Sequence, residues 1–258
     1  MTATSRLESA TQRALIASLR YAGINIGSRA KLFGREPEDD PGLLRIKATV
    51  SVYDFADDDP LEDEPVRIAD IEGSALSALE LSGSDREVII LRAQGLVLDL
   101  YRAEEPYETL DACSEELLAY TCLLDDEGQG FHPDLIQMLC LPVGALAIVE
   151  RVRIAPAWRG LGGVGRYLAA RLFPWMFPDA AVVATQPFPL DVPRDERGTA
   201  DKEALGPALK QIRRTWESIG FETHKNDIWI MDPNAATHDN AVTELEEKLQ
   251  RLFPGFAQ

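Results

Sequence analysis

The chain has 258 residues, 45% hydrophobic and 27% charged, with 43 acidic against 26 basic residues and a formal net charge of −17. That length and composition suit one large globular domain, or one domain with a sizeable extension. The charge argues against a sequence-independent nucleic-acid binder, which needs clustered Lys and Arg to displace counterions, and against an anionic membrane surface; cationic acceptors remain comfortable.

The first residues lack a basic stretch followed by an apolar one. The longest apolar run, Leu135–Val149, is broken by Gln137 and Pro142 and falls short of the roughly 20 residues a membrane span needs. Cys113, Cys122 and Cys140 form no C-x-x-C pair and sit in apolar patterns, so reduced core thiols are expected rather than disulfides. The histidines His132, His224 and His238 are scattered without zinc spacing, and no metal is expected. A cytoplasmic protein is the expectation.

In chain order, residues 8–22 have helix-spaced apolar positions around Leu15 and Leu19, followed by a looser segment rich in Gly and Arg. Leu44–Tyr53 alternates as a strand with one solvated face. Seven acids then fall between Asp54 and Glu64 as an exposed loop. A calcium loop starting at Asp57 would need Gly where Glu62 stands, so calcium is unsupported. Strands are predicted at Val66–Ile71, Val88–Leu91 and Leu96–Leu100, with a short helix at Ser74–Leu81. Leu110, Cys113, Leu117, Leu118 and Thr121 recur at helical spacing within 105–124.

Residues 145–168 read as an apolar strand ending in Glu150–Ile154, then a turn, then a helix over Arg166–Phe173. The turn Arg159-Gly160-Leu161-Gly162-Gly163-Val164-Gly165 holds four glycines in seven residues. Glycines let backbone approach a ligand closely, and a helix N-terminus behind them presents free N–H groups to an anion such as a diphosphate. A strand at Ala180–Thr185 follows, then Gln186-Pro-Phe-Pro, whose prolines stop a helix from starting directly. A helix over Lys202–Ile219 is capped by Gly220, Asp227–Asp232 forms closing strands, and Asn240–Leu252 is an amphipathic tail helix. The predicted architecture is a mixed α/β sandwich: a central, partly antiparallel sheet flanked by helices, with a helical N-terminal extension (1–43) and a main domain (44–258).

Gly160-x-Gly162-x-x-Gly165 also spells the dinucleotide fingerprint. Its setting disagrees: Glu150, Arg151 and Arg153 interrupt the strand, Pro156 breaks it before the glycines, and no acid closes the next strand to hold a ribose.

Val152-x-Ile154-x-Pro156-x-Trp158-Arg159-Gly160, with the glycines and the helix after them, resembles the pyrophosphate-binding segment of the GNAT acetyltransferase superfamily. Trp216-Glu-Ser-Ile-Gly-Phe221 and the strand near Trp229 resemble that family's aromatic-x-x-x-Gly-Phe helix end and closing strands. The resemblance covers 145–232. It implies a mixed sheet binding acetyl-CoA where the Val149–Ile154 strand parts from Ala180–Thr185. The diphosphate would lie on the N–H groups of Gly160, Leu161, Gly162, Gly163, Val164, Gly165 and Arg166, with Arg159 or Arg166 adding charge, and the pantetheine would pair with the backbone of Val152 and Ile154. Glu150, expected on the face of Val152 and Ile154, is the candidate base, with His132 and His224 as weaker alternatives.

The implied reaction is transfer of acetyl to a primary amine, small or peptidic; a homodimer is left open. Three departures from the family pattern stand out. An extra residue near Gly163 lengthens the turn, Gln186-Pro-Phe-Pro replaces a common Asn, and Trp216 stands where a proton-donating Tyr is usual, although an indole N–H is no acid at neutral pH. A catalytically impaired CoA-binding protein is therefore the alternative.

Overall fold

The computed structural model describes residues 12, 15–19, 22–29, 40–53, 80–81, 87–190, 192, 201–254 and 256. The acidic run at 54–64, the strand expected at 66–71 and nearly all of the helix expected at 74–81 lie outside them; Glu80–Leu81 is a short strand instead.

Eight strands form one sheet: β1 (Ala22–Arg29), β2 (Leu43–Tyr53), β3 (Glu80–Leu81), β4 (Glu87–Leu98), β5 (Ala145–Ile154), β6 (Ala180–Thr185), β7 (Glu222–Thr223) and β8 (Trp229–Met231). Their order is β1-β2-β4-β5-β6-β8-β7, with β3 also on β4. Among the described residues every strand pairing is antiparallel except β5 with β6. Helices α1 (Pro106–Cys113), α2 (Glu115–Leu118), α3 (Pro133–Met138), α4 (Val164–Met176), α5 (Lys202–Glu217) and α6 (Ala236–Leu252) pack around it.

Each face of the sheet has its own core. On one face, Ile46, Ala48, Val50 and Val52 of β2 and Ala147 and Val149 of β5 meet α4 and the Val242, Leu245 and Leu249 stripe of α6. On the other, Leu43, Leu96, Leu98, Leu146 and Ile148 meet Leu110 of α1, Leu117 of α2, Leu135 of α3 and Tyr120, which lies between α2 and α3. This division follows from the period of two in strands and the 3.6-residue period in helices. β6 is buried along its whole length, as a strand covered on both faces must be.

Three local findings correct the sequence reading. The Gly- and Arg-rich segment placed in the helical extension is β1, an edge strand paired with β2 over its full length, so the 43/44 boundary cuts through one sheet. Its side chains are largely exposed, which left no alternation to read. The helical period over 105–124 is broken at Ser114, which is extended (φ −176°) and caps α2 by accepting the Leu117 N–H; a 3₁₀ turn over Ala119–Leu123 completes the segment. The cysteines are free thiols, but none is fully buried and Cys140 is exposed.

Asp40 ties the second face together. Only 7% exposed, it accepts the Gly42 N–H, the Glu104 N–H and the Thr109 hydroxyl at 2.6, 3.0 and 2.9 Å. These bonds join the start of β2 to the start of α1.

Candidate functional site

β5 and β6 stay paired from Ala145/Ala180 to Val149/Thr185 and then part. β5 continues through Ile154 with only β4 beside it, so alternate backbone groups of Glu150–Ile154 face a gap with no strand opposite. At the fork the buried Thr185 hydroxyl donates to the Val149 carbonyl at 3.0 Å, locking the point of divergence.

A β-bulge sits at the same place. Gln94 pairs with Arg151 and its neighbour Gly95 with Val149, so Glu150 is the extra residue on β5. A bulge puts two successive side chains on one side and re-aims the strand. Val152 and Ile154 accordingly pack with Ala147 and Val149 on the first face. Arg151 takes the opposite side, with Ile148, whereas Glu150, the extra residue, stands opposite no residue of β4. The unbroken alternation behind the expectation that Glu150 shares a face with Val152 and Ile154 is interrupted beside it.

The glycine turn and the start of α4 close one end of the gap. Gly160 (φ +74°), Gly162 (φ +64°) and Gly163 (φ +120°) occupy conformations that L side chains rarely adopt. A Cβ at Gly160 would meet open space. One at Gly162 would come within 2.6 Å of Leu252 on α6, and one at Gly165 within 2.9 Å of Ile154. Gly162 thus lets α6 close on the turn, and Gly165 lets α4 lie against β5. No side chain caps α4; the Val164 N–H donates instead to the Leu161 carbonyl at 3.1 Å, and within the turn the Gly162 N–H donates to the Gly160 carbonyl at 2.9 Å.

Arg159 donates through Nε to the Ile154 carbonyl at 2.9 Å, pinning the turn to the strand. Arg166 reaches from α4 to the Ser218 hydroxyl at 3.0 Å.

Together these elements line a cleft of about 1160 Å³, above the roughly 300–1,000 Å³ typical for small ligands. It brings together every residue expected at the site: Glu150, Val152, Ile154, Arg159, Gly160, Leu161, Gly162, Gly163, Val164, Gly165 and Arg166. α5 supplies the opposite wall and α6 contributes Lys248. Among the described lining residues there are seven cations, Arg151, Arg153, Arg159, Arg166, Lys210, Arg214 and Lys248, and one acid, Glu150. In a chain of net charge −17 this concentration of positive charge runs against the overall composition. The whole-chain charge had made cationic acceptors comfortable, whereas the cleft itself is cationic.

Tyr120 is a residue that sequence reading missed. It lies 4% exposed against the second face, and its hydroxyl takes a backbone hydrogen bond from Gln186, just past the fork, with Glu150 as a charged neighbour. Burial pushes the phenol far above its ordinary range, so it stays protonated at neutral pH. It accepts that bond and keeps its own proton, and so is not an acid matched to a thiolate. Nothing in the local sequence Ala-Tyr-Thr-Cys marks it.

Trp216 does not point to chemistry. Its ring stacks on Phe173 at 6.0 Å and meets Phe221 edge-on at 4.8 Å, so the aromatic helix end is a packing element that seats α5 on α4. His132 and His224 lie away from the cleft. His132 caps α3 by accepting the Asp134 N–H, and Lys225 bridges to Asp134 at 2.8 Å. Burial, with Lys225 nearby, lowers the pKa of His224.

Among the described residues no group of His, Cys, Asp or Glu is arranged to hold a metal ion, and no helix is long and apolar enough to cross a membrane. Searches against models of known protein families, curated proteins and solved structures return no match for this chain.

Proposed function

We propose that the chain is an acyl-CoA-dependent N-acyltransferase of GNAT type, transferring acetyl from acetyl-CoA to a primary amine. The observation that supports this best is the fork. Among the described strands the one parallel pair parts beside a glycine turn and an uncapped helix start, inside a cleft where the turn, α4, α5 and α6 supply Arg159, Arg166, Lys210, Arg214 and Lys248. A diphosphate suits the N–H groups of Gly163, Gly165 and Arg166, those of Gly162 and Val164 already donating to the Gly160 and Leu161 carbonyls, with Lys210, Arg214 and Lys248 adding charge around it. The unpaired backbone of Val152 suits the amides of a pantetheine arm, while the Ile154 carbonyl already serves Arg159. A doubly wound dinucleotide fold requires parallel strands on both sides of its switch point, and this sheet has a single parallel pair.

The chemistry asks chiefly for positioning. The amine nitrogen attacks the thioester carbonyl, the C–N bond forms, the C–S bond breaks, and sulfur leaves as thiolate. A backbone N–H on β5 would polarise the carbonyl oxygen. The proton lost by nitrogen goes to Glu150 or through water to solvent, and the thiolate takes a proton from water, because Trp216 is packed away and Tyr120 holds its proton too tightly. Three free thiols suit a cytoplasmic setting.

The alternative, a CoA-binding protein without transferase activity, is favoured by one observation: burial raises the pKa of Tyr120, the phenol at the fork, away from that of an acid for the departing thiolate. Acceptor-dependent CoA release across a panel of amines decides between them. Glu150→Gln should leave acetyl-CoA affinity intact and cut release about a hundredfold near neutral pH. The loss should shrink as pH rises and more amine is already neutral. No release from a protein that binds acetyl-CoA establishes the alternative, and wild-type release by Glu150→Gln across pH removes Glu150 from the mechanism.

A further inference from the structure

The diphosphate end of the cleft accounts for Arg159, Arg166, Lys210, Arg214 and Lys248. It does not account for Arg151 and Arg153, which line the same cleft from the other side of the sheet. The bulge at Glu150 puts them there, since Val152 and Ile154 belong to the first face.

Their neighbours extend the pattern. Arg151 stands opposite Gln94, which stands opposite Lys47; Arg153 stands opposite Arg92, which stands opposite Thr49. Ile46 and Ala48 on β2 and Ala93 on β4 pack into the first core, so Lys47, Arg92 and Gln94 all share the second face. The helices on that face cover only the half of the sheet holding Leu43, Leu96, Leu98, Leu146 and Ile148. Past the fork the face is open: Lys47, Arg92, Arg151 and Arg153 are exposed.

None of Lys47, Arg151 and Arg153 makes an ion pair with a described residue. Residues two apart on a strand lie about 7 Å apart and adjacent strands about 5 Å, so these cations surround one small-molecule-sized area next to Glu150.

We infer that this surface binds the acceptor, and that the acceptor is a small primary amine carrying a phosphate monoester. A single carboxylate has two oxygens and is satisfied by one guanidinium fork, whereas the dianion of a phosphate monoester offers three terminal oxygens to several cations at once. With the phosphate on Arg151 and Arg153, an amine a few bonds away falls beside Glu150, at the fork where an acyl group would be presented. The local positive charge also favours the neutral, attacking form of that amine. The inference rests on the transferase reading for the role of the amine, but the anion site stands on its own geometry.

The test is equilibrium binding by calorimetry in a buffer free of phosphate, using phosphoethanolamine, ethanolamine, β-alanine and acetyl-CoA as separate probes on the full chain. Phosphoethanolamine should bind at least tenfold more tightly than ethanolamine and than β-alanine. Arg151→Ala/Arg153→Ala, both exposed positions whose loss leaves the core untouched, should remove most of that preference while acetyl-CoA affinity stays within about twofold. Lys47→Ala should weaken it by a smaller factor.

Equal binding of phosphoethanolamine and ethanolamine, a preference for β-alanine, or a preference that survives the double substitution would each overturn the inference. So would tighter binding of an acid-flanked lysine peptide, which would assign the surface to a polypeptide acceptor. If phosphoethanolamine binds through the arginines and acetyl-CoA does not bind, the transferase reading fails and the anion site remains. If acetyl-CoA binds and phosphoethanolamine does not, the reverse holds.

Discussion

The contact between Gly165 and Ile154 sets how closely α4 lies on β5, and hence the width of the proposed diphosphate end. A Cβ at Gly165 would stand 2.9 Å from Ile154 Cγ1 and 3.2 Å from Cδ1, against ordinary carbon contacts of about 3.5–4.0 Å. Gly165→Ala therefore forces the helix or the isoleucine aside, an overpacking cost of about 1–3 kcal/mol. Gly165 is helical, so alanine returns about 1 kcal/mol of propensity. The net loss is about 0–2 kcal/mol, or a Tm lower by up to about 8 °C for a chain of this size.

Trimming the partner separates the two contributions. Ile154→Ala costs less than the about 2–5 kcal/mol of a fully buried isoleucine, because Ile154 is only half-buried. With the clash gone, Gly165→Ala in that background should become neutral or stabilising. Urea unfolding of the wild type, both single variants and the double should give a favourable coupling of about 1–3 kcal/mol. Additivity within about 0.5 kcal/mol would show that α4 does not bear on β5 through this pair, and would refute the account of why Gly165 is glycine.

Two further outcomes are expected. Asp40→Ala removes the partner of the part-buried Glu104 N–H and strands the buried Gly42 N–H and Thr109 hydroxyl, so unfolding in urea should show a loss of about 2–6 kcal/mol, at about 1–3 for each of the two buried groups; a loss below about 1 kcal/mol would mean water replaces the carboxylate. Burial holds the folded-state pKa of His224 below its ordinary 6.5, which favours the neutral ring. Its stabilising contribution is then fully present above that value and lost as pH falls through the folded pKa, so between about pH 7 and about pH 5 the wild type should lose stability that His224→Gln retains. Parallel pH profiles for the two would contradict the assignment.

What the sequence made legible is the part written in contiguous residues. The strand, glycine turn and helix at 145–176, the buried β6, Gly220 with its positive φ, and the stripe on α6 all carry local signals, and each is where those signals put it. The bulge was not legible. Glu150 and Arg151 are both charged, so no apolar residue marks the interruption, and only the pairing of Gln94 and Gly95 with β5 shows it.

The cationic cleft was hidden for a different reason. Its seven positive residues come from β5, the turn, α4, α5 and α6, far apart in sequence, while the acids that dominate the net charge lie elsewhere. Tyr120 was hidden in the same way, since its position at the fork depends on Ser114 interrupting a helix that the apolar period alone predicts as continuous.

The central claim is that the fork binds an acyl-CoA, and ligand-dependent thermal stability tests it most directly. A ligand that binds only the folded chain stabilises it by about 2.7 kcal/mol at a hundredfold excess over its Kd, which is about 5–10 °C in Tm for a domain of this size. Acetyl-CoA at millimolar concentration should produce a shift of that order and NAD(H) should produce none. A shift with NAD(H) alone, or none with either, would contradict the account.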